Sequence, residues 1–352
     1  MYRNTLARID LDAVRANYDL ACALAPQSQC IAVIKANAYG HGMLRVAEAL
    51  RSRASAFAVA TVDEAVKLRS GGFGQTVLVL EGATSPKAYE AAASLKLTLM
   101  VHCEAQVRDA LQARVPVWVK ADTGMRRLGL APDRLAAVVT QLREGGVDVQ
   151  AVCTHLSCAD ETDNAATEKQ LDVFAACTAG IDLPRSIANS AGILAWPASH
   201  ADWIRPGIML YGASPMAGES AGVDSRLRVA MTLSSEIVAM RELRAGESVG
   251  YGARWTAERP SLVATVAIGY ADGYPRHAPN GTPTWVNGRV APLAGTVSMD
   301  MLTIDLTGHP GAAIGDTVEL WGGNVSVNEV AARAGTISYE LLTSVSARVP
   351  RK

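Results

Sequence analysis

The spacing of apolar and polar residues changes once along the chain, near residue 226. Before this point, short apolar runs alternate with segments in which apolar residues recur every three or four positions. The runs predict buried β-strands, and the segments predict amphipathic helices. The predicted strands cover residues 31–35, 56–60, 76–80, 97–102, 116–120, 149–155, 185–189 and 203–205.

Helical spacing occupies the intervals between these strands. It occurs at residues 63–70, 86–95, 104–113, 132–144 and 167–179, and Leu11, Val14, Tyr18, Ala21 and Leu24 mark one more helix upstream. Eight strands that alternate with helices predict an α/β fold, a (β/α)8 barrel of the TIM type. A doubly wound open sheet is the alternative.

From residue 227 onward, helical spacing gives way to alternation of apolar and polar residues. This alternation predicts strands at 232–238, 262–268, 284–286, 301–306 and 318–321, with one short helix at 327–334. We therefore predict two domains, a barrel at 1–226 and a mostly β domain at 227–352. A linker of small residues is expected at 218–224.

Polar residues stand at the ends of the predicted barrel strands. They are Lys35, Lys120, His155, Asn189, Ser190 and Arg205. Taken alone, each has an ordinary explanation: a lysine can extend into solvent, a histidine can be satisfied inside a core and an asparagine can cap a helix. Because the chemistry of α/β barrels lies at the carboxyl ends of the strands, their joint placement predicts one functional site.

Pyridoxal phosphate suits this set of groups. The cofactor needs a lysine for its Schiff base, hydrogen-bond donors for its phosphate and a partner for its ring nitrogen. Lys35 ends an apolar run, where an unpaired amine is costly. Small residues at 189–190 and 207–208 and the hydroxyl of Tyr39 could hold an anion.

Composition excludes several other classes of protein. The chain has 352 residues, of which 49% are hydrophobic and 19% charged, as in ordinary globular proteins. The formal net charge of -1 argues against a nucleic-acid binder with a broad basic face. The sequence shows no secretory signal and no apolar run of the roughly 18 residues that a membrane helix needs. The six cysteines form no CxxC pair, which favours reduced thiols in a cytoplasmic protein without a metal site.

A series of motifs makes the chain resemble alanine racemases over nearly its whole length. The motifs are VIKANAYGHG (33–42), KADTGM (120–125), RLG (127–129), TH (154–155), ANSA (188–191), RPGIMLYG (205–212), GYGA (250–253), IGYADG (268–273), SMD (298–300), ISYE (337–340) and RVPR (348–351). The first is highly specific for the cofactor lysine of the family. Their common order along both predicted domains is more telling than any single motif.

The resemblance implies a role for each matching residue around the cofactor. Lys35 would carry pyridoxal phosphate as a Schiff base and act as one catalytic base, and Tyr251 would be the second base on the opposite face of the substrate. Arg205 would face the pyridine nitrogen with support from His155. The remaining cofactor contacts would be Tyr39, Asn189, Ser190, Gly207, Ile208 and Tyr339.

Further residues would surround the substrate. Arg127 would lie near the phenolic oxygen of the cofactor and the substrate carboxylate, which the backbone amide of Met299 would also hold. Tyr270 and Asp300 complete the implied substrate site, and Lys120 occupies a position that is carbamylated in some relatives.

The resemblance also implies the assembly and the reaction. The second base would come from the partner subunit of a head-to-tail homodimer with shared active sites. The expected reaction interconverts L-alanine and D-alanine by a two-base mechanism, either to supply D-alanine for peptidoglycan or in alanine catabolism.

Three alternatives share parts of these features. A decarboxylase of basic amino acids has a similar plan but places an acidic residue at the ring nitrogen, where this chain has Arg205. A non-enzymatic cofactor-homeostasis protein is a single barrel and lacks the second domain that bears Tyr251. A broad-specificity racemase is usually exported, whereas activity on serine stays open.

Overall fold

The described chain begins with strand β1 (Leu6–Ile9) and helix α1 (Leu11–Leu24) and then forms a closed barrel. The computed structural model describes residues 3–217 and 225–352, so the predicted linker at 218–224 lies outside the described residues. The barrel strands are β2 (Gln29–Val33), β3 (Ala56–Val59), β4 (Thr76–Val79), β5 (Thr98–Val101), β6 (Val117–Lys120), β7 (Val149–Cys153), β8 (Arg185–Ser186) and β9 (Trp203–Ile204). Neighbouring strands are parallel, and β9 pairs back with β2. The predicted eight-stranded barrel is confirmed, and the open-sheet alternative is wrong.

Helical segments connect the strands of the barrel. They are α2 (Lys35–Tyr39), α3 (Met43–Ala49), α4 (Val62–Ser70), α5 (Pro86–Ser94), α6 (Glu104–Ala113), α7 (Leu135–Glu144), α8 (Ala166–Cys177) and α9 (Ser190–Ala195). The side chains of Asp10, Thr61 and Ser85 accept hydrogen bonds from backbone amides in the first turns of α1, α4 and α5. The helix predicted at 132–144 consists of a 3-10 turn, Pro132–Arg134, followed by α7. Helix α3 was not predicted, since it is short and has no side-chain cap.

Several predicted strands were too long at their carboxyl ends. The sequence predicted strands that end at residues 35, 155 and 189, whereas β2 ends at Val33, β7 at Cys153 and β8 at Ser186. After β2 the cause is visible in the backbone, because residues 36–39 all have positive φ angles, which a strand cannot contain. The polar residues at these positions therefore lie on the loops that follow the strands.

The second domain is an antiparallel sheet with two helices. Its strands are β10 (Met231–Leu243), β11 (Ser248–Val249), β12 (Trp255–Thr256), β13 (Ser261–Val266), β14 (Pro283–Val286), β15 (Arg289–Pro292), β16 (Leu302–Asp305) and β17 (Thr317–Trp321), and its helices are α10 (Val327–Arg333) and α11 (Ser338–Ser344). The main sheet has the order β15-β14-β17-β10-β13-β16, and β11 pairs with β12 apart from it. The predicted mostly β character is confirmed, although β11, β12, β15 and α11 were not predicted.

Both ends of the described chain cross between the two domains. Strand β1 pairs antiparallel with β10, so a segment that precedes the barrel belongs to the second sheet. Arg351 forms a parallel bridge with Ala7, and the Lys352 amide donates to the Ala7 carbonyl over 3.0 Å. One buried apolar cluster continues from the barrel into the second sheet. None of the helices in the described part of the chain has the length and apolar character that crossing a bilayer requires.

A buried carboxylate of the second domain joins the start of the described chain to two other segments of that domain. Asp272 is fully buried and accepts hydrogen bonds from both terminal nitrogens of Arg3, at 2.8 and 2.7 Å, and from the Gly269 amide at 3.0 Å. Arg348 lies 3.6 Å from the same carboxylate and also pairs with Asp300 at 2.7 Å. These contacts fix the turn at 269–273 against the loop at 298–300.

We predict that Asp272→Asn destabilises the fold by about 2–3 kcal/mol, since it leaves two guanidinium groups facing a neutral amide. The loss is smaller than for a fully buried pair because Arg3 is partly exposed. Urea unfolding of the two proteins measures the difference. Glu48→Gln, which breaks an exposed pair with Arg51, is the matched control and should leave the midpoint unchanged. Equal effects of the two substitutions would contradict the prediction.

Candidate active site

A cavity of about 970 Å³ opens at the carboxyl ends of the barrel strands. Eleven of the residues selected from the sequence line it together. They are Lys35, Tyr39, Lys120, Arg127, His155, Asn189, Ser190, Arg205, Gly207, Ile208 and Tyr339. All but Tyr339 come from the barrel, and Tyr339 comes from α11 of the second domain.

Lys35 is followed by a left-handed turn. Ala36, Asn37, Ala38 and Tyr39 have φ angles between 50° and 56°, a conformation that costs roughly 1–2 kcal/mol per residue for L-amino acids. The carboxylate of Glu64 supports this turn, because it accepts hydrogen bonds from the Ala36 amide at 2.7 Å and the Ala60 amide at 2.8 Å. Strain that the surroundings maintain in this way is typical of functional sites.

The environment of the Lys35 amine favours its neutral form. Burial lowers the pKa of Lys35, and the positive charge of Arg127 lowers it further, while Glu81 and Glu64 oppose the shift. A lysine with a lowered pKa can act as a nucleophile or as a base near neutral pH.

Arg205 is buried and hydrogen-bonded to neutral groups. Its guanidinium donates to the Ser186 hydroxyl at 2.5 Å and to the carbonyls of Thr154 and Ile187 at 2.8 and 3.2 Å. It also lies 3.3 Å from Nδ1 of His155. Burial lowers the pKa of His155 well below its usual value, and Arg205 lowers it further, so this histidine is neutral and Nδ1 can accept the hydrogen bond.

Hydroxyl and amide groups form a second polar region of the cavity. The Ser190 hydroxyl accepts from the Gly207 amide at 2.8 Å, which leaves its own proton free to donate. Burial raises the pKa values of Tyr39 and Tyr339, so both phenols keep their protons and remain donors. A Cβ atom at Gly207 would lie only 2.6 Å from the Tyr39 hydroxyl oxygen, so the space in front of this hydroxyl depends on the glycine.

The side chain of Asn189 lies in the cavity wall, but much of its hydrogen-bonding capacity serves the fold. Its carbonyl oxygen caps α9 by accepting from the Gly192 amide at 2.9 Å, and its amide donates to the Leu156 carbonyl at 3.3 Å. Lys120, at the end of β6, has its pKa lowered by burial and by the nearby charges of Arg205 and Arg127.

The four other residues selected from the sequence lie outside this cavity, on the second domain. Tyr251 is 71% exposed, Met299 54% and Tyr270 39%, and the exposed Asp300 pairs with Arg348. Hydrogen bonds join the turns that carry them. The Tyr270 amide donates to the Ser298 carbonyl, and the Thr296 hydroxyl donates to the Tyr251 carbonyl. These residues therefore share an exposed face and do not meet Lys35 within one chain.

Sequence reasoning missed some polar residues of the cavity. Glu81 and His102 line it and follow β4 and β5 within two residues. The rule that selected Lys35 and Arg205, polar residues after barrel strands, could have found both. The support of the lysine turn by Glu64 had no such signal, since Glu64 lies within helix α4.

Comparison with known proteins identifies the family. The model of the alanine racemase N-terminal domain matches residues 9–215, and that of the C-terminal domain matches residues 230–352. The chain is 49% identical over 358 residues to the biosynthetic alanine racemase of Pseudomonas aeruginosa, with 99% of each chain covered. The chain belongs to the alanine racemase family. A similar relationship, 49% identity over 97% of each chain, links it to the alanine racemase of an Azoarcus species.

Solved structures agree with this membership of the alanine racemase family. The crystal structure of the biosynthetic alanine racemase from Pseudomonas aeruginosa superposes with a TM-score of 0.96 at 48% identity, covering 99% of each chain. The alanine racemase from Bartonella henselae, described with covalently bound pyridoxal phosphate, superposes with a TM-score of 0.91 at 30% identity over 99% of each chain. Alanine racemases are pyridoxal-phosphate-dependent isomerases, so the expected cofactor and enzyme class are confirmed.

The cavity fits this cofactor on its own chemistry. An amine with a lowered pKa is available for covalent attachment at Lys35. The free hydroxyl proton of Ser190 and the phenol of Tyr39, which Gly207 allows to approach the backbone closely, suit a phosphate group. The buried guanidinium of Arg205, held by neutral acceptors, can donate to an unprotonated ring nitrogen.

We predict that Gly207→Ala weakens the binding of pyridoxal phosphate at least about tenfold, because the added methyl group displaces the Tyr39 hydroxyl, a loss of one strong hydrogen bond. Absorbance titration of the cofactor-free protein measures the affinity. Gly74→Ala is the matched control, since a Cβ atom there meets nothing within 4 Å. Unchanged affinity in Gly207→Ala would show that this space is not used by the phosphate.

Proposed function

We propose that this chain interconverts L-alanine and D-alanine, with Lys35 as the attachment point of pyridoxal phosphate and as one of two catalytic bases. The observation that carries the proposal is the joint lining of one cavity by the Lys35 amine, the Arg205 guanidinium and the hydroxyl groups around Gly207. The bound cofactor supplies the electron sink that makes the α-proton of an amino acid acidic.

The chain's own residues orient the cofactor in this proposal. Tyr39, Ser190 and Tyr339 donate hydroxyl protons to the phosphate, and the backbone amides of Gly207 and Ile208 lie on the same side of the cavity. Arg205 donates to the ring nitrogen and keeps it unprotonated, because a guanidinium beside it repels a second positive charge. The neutral His155 and the Ser186 hydroxyl hold Arg205 in place. Asn189 contributes by capping α9, which begins with Ser190.

Arg127 is proposed to bind the substrate carboxylate. It lines the cavity, and its charge acts on the Lys35 amine. Lys120 stands close enough for the charge of Arg127 to lower its pKa, which raises the fraction of neutral amine able to form a carbamate. A carbamate at Lys120 would be negatively charged and would orient Arg127 towards the substrate.

The second base is proposed to be Tyr251 of the partner subunit. Racemisation removes a proton from one face of the α-carbon and returns one to the other, so two bases on opposite faces avoid any movement of a single base. Lys35 serves one face. Tyr251 is too exposed to serve the other face within its own chain, and Met299 and Tyr270 are also large side chains that the single chain leaves exposed. A homodimer that buries these side chains would bring Tyr251, Tyr270, Met299 and Asp300 to the partner's cavity.

The biosynthetic role is favoured over the catabolic one. The Pseudomonas aeruginosa relatives, both in sequence and in structure, are described as biosynthetic. We therefore propose that the enzyme supplies D-alanine for peptidoglycan in the cytoplasm.

The first experiment compares the purified protein with a Lys35→Ala variant. The unaltered protein should be yellow with bound pyridoxal phosphate and should convert L-alanine to D-alanine. The variant should lose both the visible absorbance and the activity, since the substitution removes the amine proposed for the covalent attachment. Racemase activity that survives in Lys35→Ala, or a colourless and inactive parent protein in the presence of added pyridoxal phosphate, would refute the proposal.

A mixing experiment tests whether the active sites are shared between subunits. Lys35→Ala and Tyr251→Phe proteins should each be nearly inactive. When the two are unfolded and refolded together, half of the dimers are hybrids with one intact site each, so about a quarter of the parental activity should return. Sites built within one chain would each carry one of the substitutions, and mixing would then restore no activity.

A further inference from the structure

We propose that His41, buried behind the cavity, is a positioning residue that sets the Tyr39 hydroxyl for its contact with the cofactor phosphate. The inference rests on the proposed function of Tyr39 and adds to it a residue that does not line the cavity. Three observations carry it: the hydrogen bonds of His41, its ring contacts and its burial.

The first observation is that His41 holds the carbonyl end of the strained turn. Its Nδ1 atom lies 3.0 Å from the Ala38 carbonyl oxygen and 2.9 Å from the Tyr39 carbonyl oxygen. Both are acceptors, so Nδ1 carries the proton and donates to them. The backbone amide of His41 also donates to the Ala38 carbonyl, at 3.0 Å, so ring and backbone of His41 both bind this left-handed segment. His41 therefore holds the peptide groups on both sides of Tyr39.

The second observation is a stack of three rings. The His41 ring lies 4.5 Å from the Tyr211 ring, measured between centroids, and the Tyr211 ring lies 4.8 Å from that of Tyr39. Tyr211 is fixed independently, since its hydroxyl donates to the Val33 carbonyl at 3.0 Å. The stack sets the plane of the Tyr39 ring, while the hydrogen bonds set its backbone. Together they aim the hydroxyl at the space beside Gly207.

The third observation is that His41 is a fixed, neutral ring. Its side chain is fully buried, and its Nε2 atom has no hydrogen-bond partner in the described part of the chain. Burial lowers the pKa of His41 to about 4, and the charge of Arg351 contributes to the shift. Arg351 donates to the neighbouring Gly40 carbonyl at 2.6 Å, so a cation already occupies this side of the turn. A neutral His41 ring with one donor, at Nδ1, matches the two carbonyl acceptors. A protonated ring would place a second positive charge near Arg351.

The test uses two side chains of similar polarity that place a donor differently. The side-chain nitrogen of Asn can take the position of Nδ1, whereas that of Gln reaches the position of Nε2. His41→Asn should therefore bind pyridoxal phosphate nearly as the parent does. His41→Gln and His41→Leu should bind it about tenfold or more weakly, because the carbonyls of Ala38 and Tyr39 lose the side-chain donor that they share. If either the His41→Gln or the His41→Leu protein does not fold, the other one alone tests the prediction.

The ligand pair separates the phosphate contact from the rest of the site. Full-length protein freed of cofactor is titrated with pyridoxal phosphate and with pyridoxal, which lacks the phosphate. We expect His41→Leu to lower the affinity for pyridoxal phosphate and to leave that for pyridoxal within about twofold. At saturating cofactor, the KM for alanine should stay at the parental value. If His41 had a purely structural role, its substitution would lower the affinities for pyridoxal phosphate and for pyridoxal equally.

A double-mutant cycle identifies Tyr39 as the intermediary. Tyr39→Phe removes the hydroxyl and keeps the ring, so adding His41→Leu to it should cause no further loss of pyridoxal phosphate affinity. The proposed role of His41 would be overturned if the losses of pyridoxal phosphate affinity in the two single variants added up in the double variant. It would also be overturned if His41→Leu lowered the affinities for pyridoxal phosphate and pyridoxal equally. If the parent protein bound pyridoxal phosphate no better than pyridoxal, the proposed phosphate site itself would be wrong, which is a different result.

Discussion

The concentration of positive charge in the barrel mouth determines what the cavity can hold. Lys35, Lys120, Arg127 and Arg205 line it, against the two carboxylates of Glu81 and Glu340. In a partly buried site these cations repel one another and are poorly solvated, so each lowers the proton affinity of its neighbours. Anionic ligands relieve this repulsion. A phosphate at one end and a carboxylate at the other are therefore both favoured, and the lysine amine between them is neutral more often than a surface lysine is.

The rigidity of the loops that hold these charges follows from unusual local contacts. Four residues after Lys35 adopt a left-handed conformation without a glycine among them, and they are held from two sides. Glu64 binds the amide end and His41 the carbonyl end. At Gly40 the turn meets α11, where a Cβ atom would lie 2.1 Å from the Leu342 carbonyl oxygen. The second domain thus packs directly against the turn that follows the lysine.

The barrel and the polar residues that follow its strands could be predicted from sequence because their signals are local. Apolar runs mark the eight strands, and polar residues after them mark Lys35, His155 and Arg205. The hairpin of β14 and β15 also has a local signal, because the Asn287-Gly288 pair between the two strands is typical of a two-residue hairpin turn. The left-handed turn could not be predicted, since Ala and Tyr ordinarily avoid positive φ and only distant contacts maintain it. The pairing of β1 with β10 joins residues more than 200 positions apart, and no short pattern encodes it.

The pairing of residues 345–352 with the start of the barrel has a consequence for biosynthesis. Arg351 donates to the Gly40 and Val345 carbonyls and bridges to Ala7 of β1, so it ties the end of the lysine turn to the C-terminal segment. A ribosome completes the barrel strands long before it reaches this arginine. During that interval the nascent barrel lacks both Tyr339 and the support of its lysine turn. The cofactor site is therefore complete only after the second domain has been translated.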